Sequence, residues 1–129
     1  MHPVLNPGVY VYVSILDGRD VRELNPIVAV REKEGLTLVL EEAIAQAAGL
    51  EMVFRCAWIT LHVHSDLQAV GLTAAFSTAL GQSNISCNVV AGAFHDHIFV
   101  PVERADEAMS VLRTMQSNAM TMSSDENIA

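Results

Sequence analysis

Moved along itself by 62 residues, the sequence meets its own pattern again. Leu36, Leu38 and Leu40 fall on Ile98, Val100 and Val102, Glu41 falls on Glu103, and Ala43 on Ala105. Upstream, Ile27 and Val28 fall on Val89 and Val90. Three of these seven matches are identities, and strand, turn, strand and acidic helix start all stay in register. A chain with this pattern is restricted to two copies of one small unit.

The first copy opens with Val9 to Leu16, where Val9, Val11, Val13 and Ile15 alternate with Tyr10, Tyr12 and Ser14. That is the period-two signature of a strand with one face in a core. Asp17 to Asn25 is polar and too short for a helix with its loops. Ile27 to Val30 and Leu36 to Leu40 flank Arg31, Glu32, Lys33, Glu34 and Gly35, which predicts a hairpin with a solvated charged turn. Glu41 to Ala48 reads as helix, with acids in its first turn and Gly49 as its stop.

The second copy begins near Trp58: Ile59, Leu61 and Val63 share one strand face, and Trp58, Thr60, His62 and His64 the other. Ser65 and Asp66 are cap residues by type, and Gly71 to Gln82 carries Leu72, Ala75, Phe76, Ala79 and Leu80 at helical spacing. Asn84 punctuates the helix end, and Ile85 to Ala91 reads as a strand. Phe94 to His97 then forms a turn, Ile98 to Val102 the returning strand, and Glu103 to Met115 the last helix. The order βαββα demands a sheet with helices on one face, because its crossovers must be right-handed and must cover an apolar surface. The fold class is therefore α+β: two ferredoxin-like half-units with antiparallel sheets, the first lacking its first helix. In that topology the strand around His62 lies beside the strand around Phe99. The boundaries read as 1–55, 56–116 and a tail at 117–129.

Composition narrows the function classes. The 129 residues are 51% hydrophobic, enough for a compact core without staples, and no apolar run approaches the roughly 18 residues of a membrane span. No basic segment with an apolar h-region follows Met1, so the cytoplasm is the expected compartment. A net charge of −8 argues against nucleic acid, whose phosphates require clustered Lys and Arg. Cys56 and Cys87 are too few and too far apart for a disulfide framework or a tetrahedral zinc site, and both are expected to be buried thiols. No nucleophile stands beside a base in an elbow motif and no phosphate loop appears, so neither an enzyme nor a cofactor is expected.

Asp66, Leu67, Gln68, Ala69, Val70 and Gly71 between strand and helix, then Asn84, Ile85 and Ser86, resemble the signature of the ACT domain. Arg31 to Leu40, Ala57 to Leu80 and Ser86 to Ala105 further resemble bacterial stand-alone proteins that pair two divergent ACT units, a likeness extending from His2 to about Arg113. The resemblance implies a non-catalytic regulatory or sensor protein. Its ligand would be an amino acid or similar small effector, held at an interface between ACT units, in a homo-oligomer, most simply a dimer. A eukaryotic relative with paired units is a cytosolic arginine sensor. Carried over by position, the ligand loop would be Asp66, Ala69, Val70, Gly71 and Leu72, and the facing turn Phe94, His95, Asp96 and His97.

These residues also admit plainer roles. Gly71 lets helix-start amides approach a carboxylate, or merely lets the helix pack tightly. Asp96 meets an amino or guanidinium group, or caps its own loop. His62, His64 and His97 invite a metal, yet zinc asks for three or four ligands, and paired His on a sheet face more often pack against a partner. With Trp58, Thr60, Phe99 and Pro101 on the same face, an exposed apolar surface is expected there, marking an interface or the docking of the two halves. The alternatives to a ligand-binding module are an interaction module without a ligand and, behind it, a metal protein. In the tail, Ser117, Asn118 and Ala119 before Met120 resemble the remnant of a cleaved tag, so Met120 to Ala129 reads as a leader displaced from upstream of Met1.

Overall fold

The computed structural model describes residues 2–16, 18–62 and 71–128, with the side chains of 119–128 left aside. Among the described residues there are seven strands: β1 (His2–Leu5), β2 (Tyr10–Ile15), β3 (Val28–Glu32), β4 (Gly35–Glu41), β5 (Phe54–His62), β6 (Asn88–Ala91) and β7 (Asp96–Pro101). Three α-helices accompany them: α1 (Glu42–Ala47), α2 (Leu72–Gln82) and α3 (Ala105–Ile128). The chain divides into two compact units, residues 7–57 and residues 1–6 with 58–129.

In the 7–57 unit, β4 pairs antiparallel with both β2 and β3, and β2 pairs antiparallel with the start of β5. The strand order β5-β2-β4-β3 is the ferredoxin-like order, fourth-first-third-second. The predicted alternation is realised: Val11, Val13 and Ile15 from β2 and Leu38 and Leu40 from β4 are buried with Ala45 of α1 and Leu24. Leu24 sits in a 3-10 turn, Arg22–Leu24, in the polar stretch where a first helix is missing. One buried leucine thus closes the core where the other unit uses a helix. The charged residues Arg31 to Glu34 are all exposed, as a solvated turn requires. Gly35 follows at φ +152°, and a Cβ there would lie 2.5 Å from the Ile15 carbonyl oxygen, so close approach of β4 to β2 demands glycine. Across the unit, Arg55 of β5 forms an ion pair with Glu42 at the start of α1, with Nη2 3.1 Å from Oε1. The guanidinium's hydrogen bond holds the Glu42 carboxyl below the usual carboxylate range.

The second unit has the same plan with an unexpected member. Its strand order is β1-β5-β7-β6, so the N-terminal strand, pairing antiparallel with β5 from His2↔His62 to Leu5↔Ile59, serves as the fourth strand. β1 escapes a reading by alternation because it spans four residues and contains a proline. Pro3 is tolerated because β1 is an edge strand. The unit buries Ile59, Leu61, Ile98 and Val100 from its strands, Phe76 and Leu80 from α2, and Ala108, Met109 and Leu112 from α3.

Several boundaries differ from the sequence reading. β5 starts at Phe54 rather than near Trp58. β6 starts at Asn88 rather than Ile85, because Ile85 belongs to the end of α2: Asn84 turns left-handed at φ 58°, and the Ile85 amide donates to the Leu80 carbonyl at 2.9 Å. This is a Schellman closure, with Ile85 and Leu80 as its buried apolar pair. Asp96 and His97 open β7 instead of lying in the turn. The last helix passes through Ser117 and Asn118 to Ile128, since neither residue removes a helical hydrogen bond as Pro would.

Candidate functional site

Of the loop residues expected to meet a ligand, Asp66, Ala69 and Val70 lie outside the described residues, as does His64. Gly71 and Leu72 stand at the start of α2. Gly71 has φ 103°, a region L-residues rarely adopt, and a Cβ there would meet nothing within 4 Å. Glycine is therefore required by the backbone angle and not by tight packing. Among the described residues no side chain caps this helix, and its first turn holds no acid. The Ala75 amide donates to the Gly71 carbonyl at 2.9 Å, which leaves the preceding amides of Leu72, Thr73 and Ala74 without intrahelical acceptors. Together with the helix dipole they form a positive pole. At the other end, Arg104, which follows β7, donates to the carbonyls of Ser83 at 3.0 Å and Asn84 at 3.2 Å. Eleven helical residues span about 16 Å, so the amino end of α2 points back toward the end of the sheet where β7 begins.

That end gathers histidines. His2 and His62 face each other across β1 and β5, their ring centres 6.3 Å apart. The His62 ring lies 4.3 Å from that of His95. His95 precedes β7, and its Nδ1 is buried without a hydrogen-bond partner among the described residues. Next along, the Trp58 Nε1–H donates to His97 Nδ1 at 3.1 Å, and Thr60 Oγ1 lies 3.3 Å from the same nitrogen. An indole N–H only donates, so His97 Nδ1 is an acceptor and the ring proton resides on Nε2. Burial first, then the neighbouring His95, holds the His97 pKa below the ordinary imidazole value; Asp96 opposes them, and His62 adds to the depression.

The expected open face is corrected here. Phe99 is wholly buried and Thr60 nearly so, because the chain occupies that surface itself. Asn6 reaches over from the end of β1, and its Nδ2 donates to Thr60 Oγ1 at 2.9 Å and to the Trp58 carbonyl at 3.2 Å. Asp96 is not a free turn residue either: at 7% exposure it is buried at the head of β7, whereas Phe94 on the turn is 79% exposed. Among the described residues no group of three or more His, Cys, Asp or Glu side chains is placed to hold a metal. Cys56 is buried as expected, while Cys87 is half-buried. Burial raises their thiols to about 12 and about 11, which makes both poor nucleophiles. The structure thus brings His62, His95 and His97 together with three residues the sequence left unassigned: His2, Asn6 and Trp58's indole as a donor. No motif marks them, because their proximity depends on β1 joining the second unit.

The ACT-domain family matches residues 1–57 and again residues 53–114. This chain belongs to the ACT-domain family. The first match includes residues 1–6, which in the fold belong with the second unit. A search of curated proteins found no match. Among solved structures, a Vibrio cholerae protein of unknown function, described as a possible transport protein, is 50% identical at a TM-score of 0.81, over 87% of each chain. The regulatory subunit of aspartate kinase from Thermus flavus is 11% identical at a TM-score of 0.60, over 88% of this ACT chain and 96% of that one. Aspartokinase III from E. coli, in complex with aspartate and ADP, is 11% identical at 0.63, over 87% of this chain and 32% of that one. The last two establish a shared ACT fold. No helix among the described residues is long and apolar enough to cross a membrane.

Proposed function

We propose that this protein is a non-catalytic regulatory module that binds a small effector of the amino-acid class at the amino end of α2. The observation that carries this reading is the start of α2 behind Gly71, with no side-chain cap among the described residues and no acid in its first turn. Such a pole recognises a carboxylate. Asp66, Ala69 and Val70 precede it in the chain, and the reading places the ligand's other contacts at the turn residues Phe94 and His95 and at Asp96 and His97, which open β7. ACT membership supports an effector-binding role, and aspartokinase III, a neighbour in fold, was solved with aspartate. In the same reading the protein works in the cytoplasm as a homodimer.

The test is calorimetric titration and thermal shift with each of the twenty amino acids, on wild type and on Thr73→Asp. A ligand at about 100 times its Kd stabilises the fold by about 2.7 kcal/mol, a clear rise in Tm. Thr73 is exposed in the first turn of α2. An aspartate there favours the helix by about 0.3–1 kcal/mol while occupying the pole that a carboxylate needs. The expected outcome is unchanged or higher stability with binding weakened at least about tenfold, or 1.4 kcal/mol. No heat and no shift with any amino acid, or full affinity in Thr73→Asp, defeats the proposal.

A further inference from the structure

The sheet of the 7–57 unit ends in β3, which pairs with β4 and, among the described residues, with no other strand. An edge strand shows unpaired main-chain groups to its surroundings, and such edges are commonly guarded by proline, covering or brevity. The edge strand β1 carries Pro3 and packs against α3, and the edge strand β6 keeps Val89 and Val90 half-buried. β3 has neither guard: no proline lies in it, and Ala29, Val30, Arg31 and Glu32 are exposed, Val30 by 47%. The register of β3 on β4 decides which of its groups are free. Glu32 pairs with Gly35 across the short turn of Lys33 and Glu34, and a turn of this length closes on a pair that exchanges its main-chain bonds. Bonds alternate along an antiparallel pair, so Glu32, Val30 and Val28 turn their N–H and C=O inward to β4, while Arg31 and Ala29 turn theirs outward. At the start of the strand the Ile27 amide donates to the Val39 carbonyl at 2.7 Å, although Val28 is the residue paired with Val39. That is a bulge, and it ends the row of outward groups at Ala29.

We propose that β3 pairs with β3 of a second copy of this chain, antiparallel about a two-fold axis at Val30, so that the two sheets join edge to edge. This names the surface of the homodimer in the proposed function and rests on that part of the reading. In this register Ala29 of each copy stands opposite Arg31 of the other, and the two exchange both main-chain bonds. Val30 meets Val30 across the axis as a non-hydrogen-bonded pair, the kind in which side chains approach most closely. Val28 stands opposite Glu32, whose carboxylate is drawn back onto β4 by the hydroxyl of Thr37, which donates to it. The neighbouring registers fail. An axis at Arg31 sets two guanidiniums face to face, and an axis at Ala29 asks Ile27 for an outward amide that the Val39 carbonyl already holds. The strand therefore complements itself in one frame: alanine stands where arginine needs room, and like charges are never directly opposed. That self-complementarity is what selects a second copy as the occupant of the edge.

Sedimentation of the full chain at about 10–100 μM measures the association. Proline at an outward position removes a donor that β4 does not use, so Ala29→Pro is compatible with the fold. Val30→Lys sets two ammonium groups across the axis, and it keeps the test open should Ala29→Pro fold poorly. Each should raise the dissociation constant of the dimer at least about tenfold, with the far-ultraviolet circular dichroism of wild type. Cysteines read the axis itself. Residue 30 faces its own copy with Cα atoms about 4.5 Å apart, so Val30→Cys should bridge two chains under mild oxidation. Residue 31 lies about 8 Å from its own copy, beyond disulfide reach, so Arg31→Cys should not. Peptide mapping separates such bridges from Cys56 and Cys87, whose thiols burial holds at about 12 and about 11. A wild type that stays monomeric throughout the range overturns both this surface and the homodimer. A dimer that survives Ala29→Pro and Val30→Lys undiminished, or equal bridging of Val30→Cys and Arg31→Cys, overturns the surface alone. The effector titration is independent of all of these outcomes.

Discussion

Replacing Gly35 by alanine places a methyl group 2.5 Å from the Ile15 carbonyl oxygen, at a backbone angle, φ +152°, that L side chains rarely adopt. The angle alone costs on the order of 1–2 kcal/mol. The contact adds to it, because the oxygen is main chain and cannot swing aside as a side chain would. Restoring ordinary van der Waals distance, 3.4 Å or more, pushes the end of β2 from β4 by nearly an ångström where Ile15 pairs with Leu36. One or two ladder hydrogen bonds are lost there, at about 1 kcal/mol each. The total is about 3 kcal/mol, which leaves a domain of ordinary stability folded but weakened. Gly71→Ala is the matched control: its φ is also positive, at 103°, but its Cβ meets nothing within 4 Å. It should cost only the angular part, about 1–2 kcal/mol. Urea unfolding followed by far-ultraviolet circular dichroism measures both, and the midpoint should move without a change in slope. If Gly35→Ala is no more damaging than Gly71→Ala, the close approach of β4 to β2 is not what selects glycine.

Three further outcomes are expected. Arg104→Ala removes both carbonyl contacts at the end of α2, which should lower stability by about 1–2 kcal/mol and speed amide exchange around Ser83 and Asn84; unchanged exchange there refutes the tether. His97 has a depressed pKa in the folded protein, so on acidification the unfolded chain takes the proton first. Its contribution is therefore complete above about pH 6.5 and is lost as pH falls toward the lower folded value. His97→Gln should flatten the pH dependence of unfolding free energy in that window, and parallel curves for the two proteins would contradict this. With thiol pKa values near 11 and 12, Cys87 and Cys56 should react with a disulfide reagent at about pH 8 some two to three orders of magnitude more slowly than a free cysteine near 8.5. Prompt labelling of native protein would show that burial does not control them.

Much of the architecture was legible because it depends on local patterns. The alternation in Val9 to Ile15, the hairpin around Lys33 and Glu34, the spacing of Phe76 and Leu80, and the glycine at the start of α2 are each set within a few residues. The site was only partly legible. Gly71 announces a helix start, but nothing near His97 in sequence announces that Trp58, 39 positions away, will donate to it. The exposed face expected beside Phe99 failed for the same reason, since alternation says which residues share a face and not what lies on it.

The sequence by itself determined that the chain is two copies of one strand-and-helix unit, with the first copy short of a helix, because hydrophobic period and turn chemistry are properties of neighbours along the chain. Only the tertiary structure decided that His2–Leu5 completes the sheet of the distant copy and that Leu24 closes the core of the near one. A four-residue strand has too little pattern to choose a partner. Its choice is made by the unpaired edge of β5, and an edge exists only once the rest of the unit has folded.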